Sequence, residues 1–454
     1  MYRKALFVLS TVLVAVFVLT ACTPAAPATV VQTVIVTQPA PATQPPMATV
    51  DESKVPITIT FAHSFSQSDR IAFLNSVGVA YTKLHPNVTV VFDQLPGDTY
   101  EQKLALLLAG SNPPDAGLLF DSDAASWIAA GVPVDIGPAL KANTAFNFAD
   151  FIPSTYASWQ RGDKIYGIPL STSPEFIAYN IDMFKAAGVD TPDVMLSKNE
   201  WTYQNMAAAA KAIEDKSPAG SWGYVPFDNS LYEASEMGNA IEPPLRAYGA
   251  EFWSKDGTQC LLNTAGAVQA IQLLNDMAFK DKSMVPPGEQ AGFENGNVAM
   301  EMAMLSRLAN YQNVKFGWSI APLPGGPAGA VSVFGQAVVS VFAKSPHIDV
   351  ATDFAEFLMS PDNVNTMAQW FPPARASASF APIAKKYPNL DPSVIKSVIQ
   401  DGIMNGAITS DHPNIAKLQL AIFGDWNKLW VPNANIQAVT NDICTNDIDP
   451  LLVK

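Results

Sequence analysis

The sequence predicts an α/β protein of two lobes or more that is exported from the cytoplasm. Three observations carry this reading. From Ile57 onward, short alternating strands are followed repeatedly by helix-spaced apolar stripes, the pattern of α/β layers. The folded part starts near Val55 and is too long for one compact core, since the whole chain has 454 residues. The N-terminus has Arg3 and Lys4 followed by an uncharged apolar run from Ala5 to Ala21, the layout of a secretory signal.

The elements follow in order. Ile57 to Phe61 alternates as a strand. Ser68 to Leu84 carries Ile71, Leu74, Val77 and Tyr81 on one helical stripe, and His85-Pro86 stops it. Val88 to Phe92 reads as a second strand. Asp98-Thr99-Tyr100-Glu101 has capping-box form ahead of helix Leu104 to Ala109. Ala116 to Phe120 is a buried-type strand, and Ala124 to Ala130 a short helix ended by Gly131. The middle is helix-rich, with segments at Ile181 to Ala187, Tyr203 to Ile213 and Asn263 to Lys280. After the proline-rich run 322–327, strands are expected at Val331 to Phe334 and Ala337 to Phe342. Helix Val350 to Met359 follows, and Ser360-Pro361 opens another.

Residues 1–21 form the signal, and Leu19-Thr20-Ala21-Cys22 resembles a bacterial lipoprotein lipobox. The resemblance implies cleavage before Cys22, its acylation, and anchoring to the outer face of the cell membrane. Residues 22–54 are rich in Pro, Ala and Thr; they cannot bury enough apolar surface to offset ordering and read as a tether. Cys260 and Cys444 remain as an even pair in an oxidising compartment. A disulfide and two separate buried thiols both fit, because geometry decides between them.

Composition excludes some functions. The chain carries a net charge of −14, so nucleic acid and anionic lipid surfaces are not its partners. No phosphate loop, HExxH, GxSxG or CxxC occurs. The four histidines are scattered, so no metal site and no cofactor is expected.

A series of segments in chain order resembles the extracellular solute-binding proteins of bacterial ABC importers, in the sugar-binding family that includes maltose-binding protein. These are Pro114-Asp115 with the strand after it, Val134-Asp135-Ile136, Tyr166-Gly167-Ile168-Pro169 with Ala178-Tyr179-Asn180, Phe293 to Met300, Ala321 to Gly325, and Pro373-Ala374-Arg375. The resemblance implies a periplasmic-binding-protein-like fold, with two α/β lobes joined by crossing hinge segments and a ligand cleft between them. Lobe 1 would hold residues 55–170 and 326–370, and lobe 2 residues 173–321 and 376–454. The hinges would lie near 170–174, 322–326 and 371–375. It also implies a carbohydrate ligand, permease subunits as partners, a monomer, and no enzymatic step.

A sugar offers apolar ring faces and many hydroxyls, so its receptor needs aromatic platforms and planar polar groups. Segments that the resemblance places at the cleft supply His63, Ser64, Phe65, Asp121, Ser122, Ser173, Glu175, Ser306, Arg307, Trp370 and Arg375, with Trp222 and Trp253 from the second lobe. The first two groups also follow strand ends, where open α/β sheets put ligands. Each has a plainer structural role open to it: Trp370 packing a hinge, Arg375 pairing with an acid, Glu175 capping a turn. A surface carbohydrate hydrolase, an architectural lipoprotein, and a receptor for a polyamine, polyol phosphate or organic acid are the alternatives.

Overall fold

The computed structural model describes residues 55–234 and 240–452. The expected signal segment, Cys22 and the whole of the expected tether, residues 22–54, lie outside the described residues. The chain from Ser53 onward forms a compact unit of its own.

The strands are β1 (Ile57–His63), β2 (Val88–Gln94), β3 (Ala116–Phe120), a small hairpin β4 and β5 (Gln160–Arg161, Lys164–Ile165), β6 (Ile168–Pro174), β7 (Phe176–Asn180), β8 (Trp222–Val225), β9 (Val298–Ala303), β10 (Trp318–Pro322), β11 (Val333–Val341) and β12 (Ala407–Ile408). Among the described residues, the first sheet runs β12-β11-β3-β1-β2, with β6 also on β11. β1 is parallel to β2 and β3, with Ile57 opposite Val88 and Phe61 opposite Ala116. Parallel neighbours need crossover connections, which helices Ser68–Leu84 and Tyr100–Ala109 supply. The first helix buries Leu74, Val77, Gly78 and Tyr81. Gly78 has a steric reason: a Cβ there would meet the Phe92 ring at 2.8 Å.

The second sheet runs β10-β7-β9-β8. β7 ends at Asn180, whose side chain accepts from the backbone N–H of Asp182 and Met183 and starts helix Ile181–Ala187. Gly188, with φ of +65°, ends it. Thr202 caps helix Tyr203–Glu214 in the same manner. The expected helix over 263–280 runs as Ala265–Asn275 and then widens into a π-turn at Asp276–Lys280. The two strands expected at 331–342 are one strand, β11. Gly335 and Gln336 stay extended because β6 pairs with them, and a register shift at Ala337/Val338 absorbs the irregularity.

One large core holds residues between Ile59 and Leu170 together with Val338 to Ala374. A second holds residues between Ile177 and Leu323 together with the C-terminal helices from Ile415 to Leu452. A third, built on Phe176, Ala178 and Ile320, takes in Ile383 to Ile403. The chain passes from the first sheet to the second at Glu175, between β6 and β7, and returns between β10 and β11.

A further connection runs through β12, which the sequence pattern does not signal. β12 is parallel to the start of β11, with Val333 opposite Ala407. Beyond it the extended chain alternates sides. Thr409 donates to Asp121 Oδ2 at 2.7 Å and Asp411 pairs with Arg161 at 3.0 Å, both toward the first core. Ser410 donates to Glu242 and His412 packs edge-on against Trp253, both toward the second. Extended backbone throws successive side chains to opposite faces, so this short segment straps the two together.

Cys260 and Cys444 form a disulfide, with Cα atoms 5.3 Å apart and a separation of 184 positions in sequence. It ties the C-terminal helices to the middle of the chain. Replacing both cysteines by serine is expected to lower unfolding free energy by about 2–5 kcal/mol, the range for a native bridge closing a long loop. Urea unfolding with and without reductant checks it, and the double variant should be insensitive to the reductant.

Candidate functional site

Between the cores lies a cleft of about 820 Å³, within the usual range for small-molecule sites. Strand ends build one wall. After β1 come Ser64 and Phe65; after β3 come Asp121, Ser122 and Asp123. Trp370 and Phe371 flank them. Phe65 stacks on Phe371 with ring centroids 5.5 Å apart. Trp370 donates its indole N–H to Asp69 at 2.7 Å and meets Phe73 edge-on, which fixes its ring at the cleft. The opposite wall carries Phe252 and Trp253, with Met304 and Ser306 beside them. Trp253 packs against Phe252 and His412.

The polar groups are few and held. Asp121 is buried; burial pushes its carboxyl up to about 6, against hydrogen bonds from the backbone of Gln336 and the Thr409 hydroxyl. Burial also raises Asp123, opposed by a hydrogen bond from Ser122. Ser173 Oγ accepts from the backbone N–H of Leu305 at 3.3 Å. Arg70 supplies the cation in the cleft lining, its guanidinium 4.8 Å from the Phe371 ring centre. Glu101 adds another carboxylate.

Of the residues singled out from sequence, the structure brings Ser64, Phe65, Asp121, Ser122, Ser173, Trp253, Ser306 and Trp370 to this cleft. It places the other five elsewhere. His63 is buried behind Phe65 and accepts from the Phe65 backbone N–H through Nδ1; burial lowers its pKa. Arg375 lies inside the first core with its guanidinium against the adjoining rings of Phe146 and Phe151, and donates to the carbonyls of Phe146, Asn147 and Met359 and to Asp150. A buried guanidinium needs that many acceptors, so the side chain turns inward. Arg307 pairs with Glu301, which also accepts from Tyr311. Trp222 packs on Val225, Val285 and Val298 at the far edge of the second sheet. Glu175 is buried in the crossing itself, behind the cleft surface.

Sequence reasoning passed over Arg70, Phe371, Phe252, Gln336, Thr409 and Ser410. Arg70 precedes the apolar stripe of its helix and carried a weak signal as one of few arginines. Thr409 and Ser410 carried none, because only the strap brings them near Asp121.

A model of the bacterial extracellular solute-binding proteins matches residues 66–365. The chain belongs to that family. Among the family's relatives, a binding protein of Brucella abortus is 25% identical over 334 residues, covering 70% of this chain and 74% of its own. The arabinooligosaccharide-binding protein of Bacillus subtilis is 24% identical, covering 65% of this chain and 64% of its own. A solved ABC substrate-binding protein of Listeria monocytogenes, in complex with cycloalternan, superposes with a TM-score of 0.71 at 20% identity, covering 86% of this chain and 98% of that one. The likeness places the chain in the periplasmic-binding-protein-type fold that the family resemblance implies.

Arg375→Ala should therefore act on stability. It deletes a buried guanidinium packed on two rings and leaves three carbonyls short of a donor, so a loss of about 3 kcal/mol or more is expected by urea denaturation. Arg375→Lys should recover only part of it, because an ammonium lacks the planar stack. A loss under about 1 kcal/mol would show that the guanidinium is dispensable there.

Proposed function

We propose that this solute-binding protein captures a carbohydrate in the cleft and delivers it intact to an ABC importer. The observation that carries the proposal is the pairing of two aromatic walls, Phe65, Phe371 and Trp370 on one side and Phe252 and Trp253 on the other, around the buried carboxylate of Asp121. Apolar sugar faces stack on such rings, and a carboxylate accepts two hydroxyl hydrogen bonds. The walls belong to different cores, so a ligand that touches both favours the arrangement in which they approach. The relatives that bind arabinooligosaccharide and cycloalternan support the same class.

The mechanism is binding and closure about the crossings, with residues 55–170 and 326–370 as one lobe and 173–321 and 376–454 as the other. No bond is made or broken. The protein acts as a monomer, tethered by residues 22–54 to a lipid at Cys22 on the outer face of the membrane. The ligand contacts come from the eight cleft residues found by sequence, with Arg70 and Phe371 added.

Melting temperature measured across neutral mono- and oligosaccharides, polyols, polyol phosphates, polyamines and organic acids tests the class. A sugar at one hundred times its dissociation constant should add about 2.7 kcal/mol of stability, and should be recovered unchanged. Trp253→Ala and Trp370→Ala should each weaken that binding about tenfold or more, since buried aromatic anchors dominate affinity. Stabilisation by a polyamine or an organic acid alone, or consumption of the sugar, would refute the proposal.

A further inference from the structure

Glu175 is 1% exposed, and neither of its carboxyl oxygens has a hydrogen-bond partner. It is the single residue between β6 of the first sheet and β7 of the second. Its backbone N–H donates to the carbonyl of Val333, the residue at which β11 begins and against which β12 pairs. Three connections between the sheets thus run side by side at Glu175. Its surroundings come from both sides of the cleft. Asp121 lies at the end of β3. Glu242 and Arg246 come from helix Glu242–Ala247, Tyr203 from helix Tyr203–Glu214, and Tyr224 from β8.

Arg246 offsets the Glu175 charge only in part and makes no hydrogen bond to it. Its guanidinium pairs with Glu242 at 2.5 Å and with Glu251 at 3.0 Å. Ser410 of the strap adds hydrogen bonds from its N–H and its hydroxyl to Glu242. One cation therefore serves two other carboxylates. An unpaired carboxylate taken fully out of water is far costlier than the neutral acid.

We propose that Glu175 is a protonated hinge residue, so that the arrangement with the sheets locked at this crossing holds one proton more than an arrangement opened about it. This rests on the receptor reading only in naming what the hinge serves. Opening bends the crossing, separates groups contributed by the two sides, and admits water to Glu175. The hydrated carboxyl then releases its proton. Burial, with Glu242 and Asp121 nearby, holds the Glu175 carboxyl well above the usual carboxylate range in the locked form. The sign follows. A group whose pKa is higher in the locked form favours that form at low pH, and the preference fades as pH rises. Between the two pKa values the locked-to-open ratio falls up to tenfold per pH unit, and ligand affinity falls with it.

The test needs no ligand, so its outcome is separate from that of the sugar screen. The radius of gyration of the chain from Ser53 onward is measured by solution scattering from pH 5 to pH 8, for the wild type, Glu175→Gln and Glu175→Met. The wild type is expected to expand as pH rises. Both variants, which cannot titrate at that position, are expected to lose most of that expansion, the remainder coming from Asp121 and Glu242, whose carboxyls burial raises to about 6 and about 7, and to melt higher than the wild type at pH 8. In the infrared, the variants should lack a protonated-carboxyl C=O band that the wild type shows at pH 5. Parallel profiles for wild type and variants, expansion confined to the variants, or failure of both variants to fold would overturn the proposal. The last outcome would mean that the carboxyl makes bonds absent from this arrangement.

Discussion

The antiparallel ladder between β6 and β11 is the interaction on which the rest of the molecule depends. Six residues of β6, from Ile168 to Pro174, pair with β11 from Val339 back to Phe334. Both strands continue from or into the second sheet, β6 forward through Glu175 and β11 backward through the turn after β10. A backbone ladder obliges its N–H and C=O groups to stay paired, so the two crossings cannot drift apart. Any relative motion of the cores must bend the chain where the ladder stops. That point is Glu175 on one strand and Val333 on the other.

The cleft follows from this constraint. The first sheet directs the ends of β1 and β3 to one side of the crossing, so Ser64, Phe65 and Asp121 arrive at the same place without being near one another in sequence. Helix Ser68–Leu84 starts there too, which brings Asp69 to hold Trp370 and Arg70 to lie over Phe371. The second core meets this wall with Phe252 and Trp253. The strap from Ala407 to His412 closes the back, with one residue satisfying Asp121 and the next satisfying Glu242. Recognition surface and hinge are thus built from neighbouring residues of the same segments.

Placement by segment succeeded where position along a strand decides exposure, and failed where a side chain had a choice of direction. Phe65, Asp121 and Ser173 sit at or near strand ends beside the crossing. Arg375 and Glu175 sit in the right segments but face inward. Arg375 finds carbonyls of Phe146 and Asn147 more than 200 residues away in sequence, and no local pattern announces them. Trp222 is at the distant edge of its sheet because β8 is the terminal strand beside β9, an order that periodicity does not encode. Phe371 and Arg70 enter the site as a stacked pair whose partners are far apart in the chain.

The class of layers, the positions of most strands and helices, and the family were legible in the sequence. These rest on local chemistry: apolar period, caps such as Asn180, stops such as Pro86, and motif order. Tertiary pairing selects which aromatics face each other across the cleft, brings Cys260 to Cys444, makes residues 407–412 a strap between the cores, and leaves the Glu175 carboxyl without a hydrogen bond. Those outcomes depend on pairing between segments one to three hundred residues apart, where burial and competition for hydrogen bonds select the final direction of each side chain.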